Sequence, residues 1–151
     1  VYTITVADDS AAANNTATQN VTVVITGTND APTITIESGD SAAATLTETN
    51  TTLTSSGTLT VSDLDLTNVV ASDVTGVVAS GTTTGLQSNH AALLSMLTST
   101  ANVIDGTQLS DKLTWNFNSA IEAFDYLAAG ESLTLTYSIT VTDSQGVTDT
   151  R

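Results

Sequence analysis

Val21-Thr22-Val23-Val24-Ile25-Thr26-Gly27-Thr28-Asn29-Asp30-Ala31-Pro32-Thr33-Ile34-Thr35-Ile36 joins two runs of β-branched residues through a short polar stretch, Gly27–Pro32. Val, Ile and Thr favour pleated, half-buried backbone. Pro32 fixes its own φ and pushes Ala31 towards an extended conformation. Asn29 and Asp30 form turns and supply oxygens. Gly27–Pro32 is therefore expected to be a stiff, oxygen-rich joint between two β units. Residues 1–27 then form the C-terminal hairpin of a preceding unit or a donated strand pair, residues 28–32 the linker, and residues 33–151 the following domain.

Outward from the joint, the apolar period is two almost everywhere. Tyr2, Ile4 and Val6 alternate with Thr3 and Thr5, and residues 17–26 place Val21, Val23 and Ile25 on one face. These runs predict a hairpin. Residues 33–37 and 43–48 are short β segments broken by Ser38-Gly39-Asp40. Residues 57–61 form a strand that runs into Ser62-Asp63-Leu64-Asp65, where two carboxylates two apart leave the same side of an extended backbone. Residues 69–79 are Val-rich and β. Leu113, Trp115 and Phe117 alternate with polar residues and predict a strand with a large apolar face. Residues 132–142 are the cleanest strand, with Leu133, Leu135, Tyr137, Ile139 and Val141 inward. Two short helices are expected, one within Leu86–Leu97 after Ser88 and Asn89, the other over Ser119–Leu127 and ended by Gly130. Asp105-Gly106 marks a turn. The fold class is all-β with one or two short helices.

Composition narrows the function. The 151 residues hold 16 acids against two cations, Lys112 and Arg151, a formal charge of −14. That balance excludes nucleic acid and anionic membrane surfaces as partners, since both are bound through Lys and Arg. It suits hard cations or salty surroundings. There is no cysteine, so disulfides and thiolate metal sites are out, and a metal is the usual remaining staple for a small extracellular domain. No apolar run is long enough to span a membrane. His90, the only histidine, suits a surface or capping role at the start of the first helix. No Gly-x-Ser-x-Gly elbow accompanies it, and the pair Asp125 and Glu131 lacks the cleft aromatics of a glycosidase, so an enzyme is not expected.

The chain also matches itself. Tyr2-Thr3-Ile4-Thr5-Val6-Ala7-Asp8 aligns with Tyr137-Ser138-Ile139-Thr140-Val141-Thr142-Asp143 at an offset of 135 residues. Thr16-Ala17-Thr18-Gln19 aligns with Thr148-Asp149-Thr150-Arg151 at an offset of 132. Internal repeats govern architecture. On this alignment Arg151 corresponds to Gln19, and the counterpart of Asn20–Ile25 would follow it. The domain from Thr33 is expected to lack its last strand and to show an open sheet edge. A following repeat or an identical chain would fill that edge.

Four segments resemble a known family. Gly27–Pro32 resembles the inter-repeat linker of bacterial VCBS-type, cadherin-like tandem repeats of giant secreted adhesins and surface proteins. Phe124–Leu133 resembles the segment before that family's penultimate strand, and Tyr137–Gly146 the strand with its acidic turn. Ser62–Asp65 resembles its acidic pair. The resemblance covers most of residues 17–150 and is densest at the linker and over 113–150; the insertions around 80–110 depart from it. It implies an immunoglobulin- or cadherin-like β-sandwich, an extracellular location at the bacterial surface within a long array, and calcium at or near the joints. By that analogy Asn29 and Asp30 meet Asp63, Asp65 and Asp143 at the N-terminal end of the domain as metal ligands. Glu48 and Asp8 are held more loosely, as ligands at other ends or in other copies. Calcium takes six to eight oxygens, and a divalent ion removes the like-charge repulsion of gathered acids.

The expected role is a structural extender, a stalk or fibre repeat stiffened by calcium. Two alternatives stand beside it: a filament subunit assembling by strand donation, and a glycan- or surface-binding module using residues 80–110, since loops on rigid scaffolds carry function.

Overall fold

The computed structural model describes Val1–Arg151. The chain is all-β, with ten strands and one short helix. In order these are β1 (Tyr2–Ala7), β2 (Thr16–Val21), β3 (Thr33–Thr35), β4 (Thr54–Ser62), β5 (Val69–Gly81), α1 (His90–Ser95), β6 (Leu97–Ser99), β7 (Asn102–Asp105), β8 (Ser110–Asn118), β9 (Leu133–Thr142) and β10 (Thr148–Thr150). β1 and β2 pair only with each other. The other eight strands form two four-stranded antiparallel sheets, ordered β3-β4-β8-β6 and β10-β9-β5-β7.

The inward residues of the alternating strands make the core between these sheets. Leu59 and Val61 of β4, Val70 of β5, Ile104 of β7, Leu113 and Trp115 of β8, and Ile139 and Val141 of β9 form one apolar cluster. A second, smaller cluster lies around α1, from Val77, Leu93, Met96 and Phe124. The Tyr137 hydroxyl donates to the carbonyl of Leu93 at 2.9 Å, tying the helix to β9.

One close approach explains a glycine. Gly57 of β4 lies opposite Trp115 of β8. The indole crosses the strand there and donates from Nε1 to the carbonyl of Ser41 at 2.7 Å. Only a residue without Cβ leaves room for that ring.

The Ser38-Gly39-Asp40 break is a latch. The Asp40 carboxylate accepts from Lys112 Nζ at 2.8 Å, from the hydroxyls of Thr58 and Thr60 at 2.7 Å each, and from the Glu37 N–H at 2.9 Å. Lys112, then Thr60, outweigh the opposing effect of burial and hold the carboxyl far below the usual carboxylate range. A depressed folded pKa contributes stability in full above the unfolded value of about 3.9 and loses it as pH falls towards the folded one. Thermal unfolding should therefore show stability falling from about pH 4 to about pH 2. D40N should be less stable at neutral pH and should lose this part of the acid dependence; equal acid dependence in the two proteins would refute the latch.

Several expectations need correction. Ser119–Leu127 is a series of turns rather than a helix: Ala120 and Phe124 have φ of 52° and 61°, and Ile121 is fully exposed. Asn118 Oδ1 takes the Ala120 N–H at 2.8 Å in a local side-chain turn, and Ser119 is tied to Leu53 instead, its Oγ accepting the Leu53 N–H at 3.0 Å and its N–H donating to the Leu53 carbonyl at 3.0 Å. The first helix is confined to His90–Ser95, with Asn89 as its N-cap. Residues 43–48 are not a strand, and β2 stops at Val21 rather than running to residue 26. β6 and β7 were not foreseen. They place residues 97–105 in the sheets with Leu97, Val103 and Ile104 buried, so much of the 80–110 segment is structural framework.

The two hairpins share one register. In β1–β2, Ala7 faces Thr16, Val6 faces Ala17, Thr5 faces Thr18 and Ile4 faces Gln19. In β9–β10, Thr142 faces Thr148, Val141 faces Asp149 and Thr140 faces Thr150, while Ile139 and Arg151 exchange backbone hydrogen bonds of 2.8 and 2.9 Å. The offsets of 135 and 132 carry every one of these pairs of the first hairpin onto its counterpart in the second.

Candidate functional site

The joint, the loop after β4 and the turn after β9 meet at one end of the sandwich. Pro32 is buried there and immediately precedes β3. The last inward residues of β4 and β9, Val61 and Val141, are fully buried, and two residues on, just past the end of each strand, stand Asp63 and Asp143. The strand period thus turns both carboxylates inward at the rim of the core. Asp63 is 2% exposed and Asp143 5%.

Side-chain hydrogen bonds knit these loops together. Asn29 Nδ2 donates to Asp143 Oδ2 at 2.8 Å, and the Asp30 N–H donates to Asp65 Oδ2 at 2.7 Å. The Asp65 N–H donates to Asp63 Oδ1 at 2.9 Å. Asn68 Nδ2 donates to Asn29 Oδ1, and Ser144 Oγ donates to Asn68 Oδ1, both at 2.9 Å. Asp143 Oδ1 closes its own turn by accepting from the N–H groups of Gln145 and Val147. The Asn29 amide, followed by these backbone donors and against some desolvation, lowers the Asp143 pKa, so its carboxylate stays charged.

The structure therefore brings Asn29, Asp30, Asp63, Asp65 and Asp143 together. Asp30 takes part through its backbone; its side chain is exposed. Asn68 and Ser144 belong to the same cluster and were missed. The spacing Asp63-x-Asp65-x-x-Asn68 was the available signal, but Asn and Ser are too common in turns to stand out. Asp8 and Glu48 lie elsewhere. Asp8 accepts from the N–H and hydroxyl of Ser10 within the first hairpin's turn. Glu48 accepts from the Asn50 N–H at 2.8 Å and faces Asp125, whose pKa is raised by burial, then by Glu48, and more weakly by Glu122.

One atom in the cluster is unsatisfied. Asp63 Oδ2 is buried and has no hydrogen-bond partner. A buried carboxylate oxygen without a proton, donor or cation is strongly disfavoured. The side chains of the cluster carry carboxylate, amide and hydroxyl oxygens, the chemistry of a hard cation such as calcium. As the side chains stand, no group of three or more acids or histidines is arranged around a common point. Asn29 Nδ2, bound to Asp143, keeps that oxygen engaged. The fit to calcium thus rests on donor chemistry and on the orphaned oxygen rather than on a formed cage.

No protein-family model, no curated protein and no solved structure matches this chain.

Proposed function

We propose that this chain is a structural module of an extracellular bacterial fibre or stalk, in which the Gly27–Pro32 joint is clamped to the end of the sandwich and stiffened by calcium. The carrying observation is the orphaned Asp63 Oδ2, on a carboxylate whose other oxygen joins the network that ties Asn29 and Asp30 to Asp143 and Asp65. The resemblance to cadherin-like tandem repeats supports the same reading. Asp63, Asp65 and Asp143 would hold the ion with the oxygens of Asn29 and Asn68. The ion supplies positive charge to a set of acids that the chain, with its two cations, cannot neutralise itself. The role is mechanical: each loop fixed at the joint removes hinge freedom between the units on either side.

Thermal unfolding with calcium and with excess chelator tests this. A ligand that binds only the folded form stabilises by about 2.7 kcal/mol at a hundredfold excess over Kd. The wild-type midpoint should rise in calcium, and Asp63→Asn should abolish the difference. An identical midpoint under both conditions would leave the joint a purely hydrogen-bonded clamp and end the calcium assignment. Spin labels at Thr18 and Thr134 report the stiffness separately, through a narrower distance distribution in calcium.

A further inference from the structure

We propose that Asn29, Asn68 and Ser144 form a relay that senses the cation at the joint: their hydrogen bonds run one way on protein partners alone and reverse together when calcium binds. This rests on the calcium reading above and adds how the joint responds to the ion.

The relay is a chain of hydrogen bonds that begins and ends on one turn. Ser144 Oγ donates to Asn68 Oδ1 at 2.9 Å, Asn68 Nδ2 donates to Asn29 Oδ1 at 2.9 Å, and Asn29 Nδ2 donates to Asp143 Oδ2 at 2.8 Å. Every donor points from Ser144 towards Asp143, its neighbour in sequence. The inner members are fixed in place. Asn68 and Asp143 are both 5% exposed, the Asn68 N–H donates to the Asp65 carbonyl at 2.8 Å, and the Asp143 N–H donates to the Val147 carbonyl at 2.9 Å.

The direction is imposed from the Asp143 end. An ionised carboxylate only accepts, so Asn29 meets it with its amide nitrogen. Asn29 Oδ1 is then left facing Asn68, which meets it with Nδ2. Asn68 Oδ1 in turn takes the hydroxyl proton of Ser144. One charge therefore sets the polarity of two amides and a hydroxyl.

The Asn29 amide nitrogen plays a cation's part. Two oxygens converge on it, Asp143 Oδ2 at 2.8 Å and the Asp30 carbonyl at 3.0 Å. Its hydrogens carry positive charge towards the same lone pairs that an ion would use, so they must give way when Asp143 Oδ2 becomes a ligand. Half a turn of the amide exchanges nitrogen and oxygen with almost no change of shape. Asn29 Oδ1 then joins the Asp143 and Asp30 oxygens, towards the six to eight that calcium takes. Asn29 Nδ2 now faces Asn68, whose amide turns as well, and Asn68 Nδ2 faces Ser144. A hydroxyl both donates and accepts, so Ser144 can end the chain in either direction. Ser144 is exposed, and its released proton bonds to water. Neither direction leaves a buried amide of the chain unpaired, which keeps the reversal cheap. The reversal also turns both amide oxygens to the Asp143 side, where the calcium reading places them as ligands.

The joint is thus held with or without the ion. When calcium leaves, the Asn29 amide takes its place on Asp143, and the exchange is carried to the surface at Ser144.

Nuclear Overhauser spectra of the isotope-labelled full chain, recorded with excess chelator and then with calcium chloride, test the relay. In chelator the Asn68 Nδ2 protons should show cross-peaks to the Asn29 β protons. In calcium these should disappear, and cross-peaks to the Ser144 β protons should replace them. N29D is the control. An aspartate at this position offers one oxygen to the ion and the other to Asn68 without turning, so the Asn68 cross-peaks to residue 29 should persist under both conditions. Calcium that shifts the backbone amides of Asp63, Asp65 and Asp143 but leaves the wild-type Asn68 cross-peaks in place overturns the relay and keeps the calcium reading. Asn68 cross-peaks that still move in N29D overturn the relay too, by uncoupling Asn68 from Asn29. No shift anywhere at the joint on adding calcium ends both.

Discussion

G57A is expected to destabilise the fold by about 3 kcal/mol, the upper part of the range for forcing extra volume into a packed site. A Cβ at residue 57 would lie 2.5 Å from Trp115 Cζ2, 2.7 Å from Cε2 and 2.8 Å from the Ser41 carbonyl oxygen. None of these atoms can retreat cheaply. The indole is 6% exposed and held by its own hydrogen bond to Ser41, and the third contact is backbone. Relief would break the Trp115–Ser41 bond and displace residues 41–44, of which Ala42, Ala43 and Ala44 line an apolar groove beside β9. Chemical denaturation of G57A, W115A and the double variant checks the assignment. W115A alone should cost about 3–5 kcal/mol. In its background the alanine at 57 should cost far less than in the wild type, a coupling expected only for residues in contact. Additive effects would show that the glycine is required for some other reason.

Leu113→Ala is the second large effect, at about 2–5 kcal/mol and near the top of that range. Leu113 is completely buried, lies opposite Leu59 on the neighbouring strand and sits in the middle of the main cluster, where the surroundings have little freedom to collapse. Leu135→Ala makes the same chemical change on the half-buried side of the groove. It should cost about half as much or less, because burial energy follows the area removed from water. The contrast should shrink in a protein with a copy of Asn20–Ile25 appended after Arg151, because the added strand would bury Leu135. Urea midpoints of the four proteins measure this directly. Equal losses at 113 and 135 in the unextended chain would mean that the groove is already closed in solution.

The long strands were legible because alternation repeats enough times to be unmistakable. Leu133, Leu135, Tyr137, Ile139 and Val141 give five inward positions, and β4 and β8 are nearly as regular. β6 and β7, of three and four residues, offer one or two inward positions each and have no readable period. The supposed second helix failed for the opposite reason. Ile121, Phe124 and Leu127 carry helical spacing by coincidence, and it was overridden where Asn118 Oδ1 accepts from the Ala120 N–H and Ser119 Oγ from the distant Leu53 N–H. At the joint, carboxylate spacing pointed to Asp63 and Asp65. Nothing local announced that Asn68 would link to Asn29 and Ser144 to Asn68, since those contacts span 39 and 76 residues.

By itself the sequence determined what depends on neighbours along the chain: an all-β class from the period of two, a cysteine-free and strongly acidic chemistry, and two hairpins alike at offsets of 135 and 132. Only the tertiary structure decided what depends on residues far apart in the chain. It set the Trp115 ring over Gly57, locked Asp40 to Lys112, drew the joint onto Asp143, and left Asp63 Oδ2 without a partner. It also left residues 43–48 out of the sheets despite their β-prone composition. Propensity is a property of each residue, but a strand exists only where a neighbouring backbone supplies the other half of its hydrogen bonds.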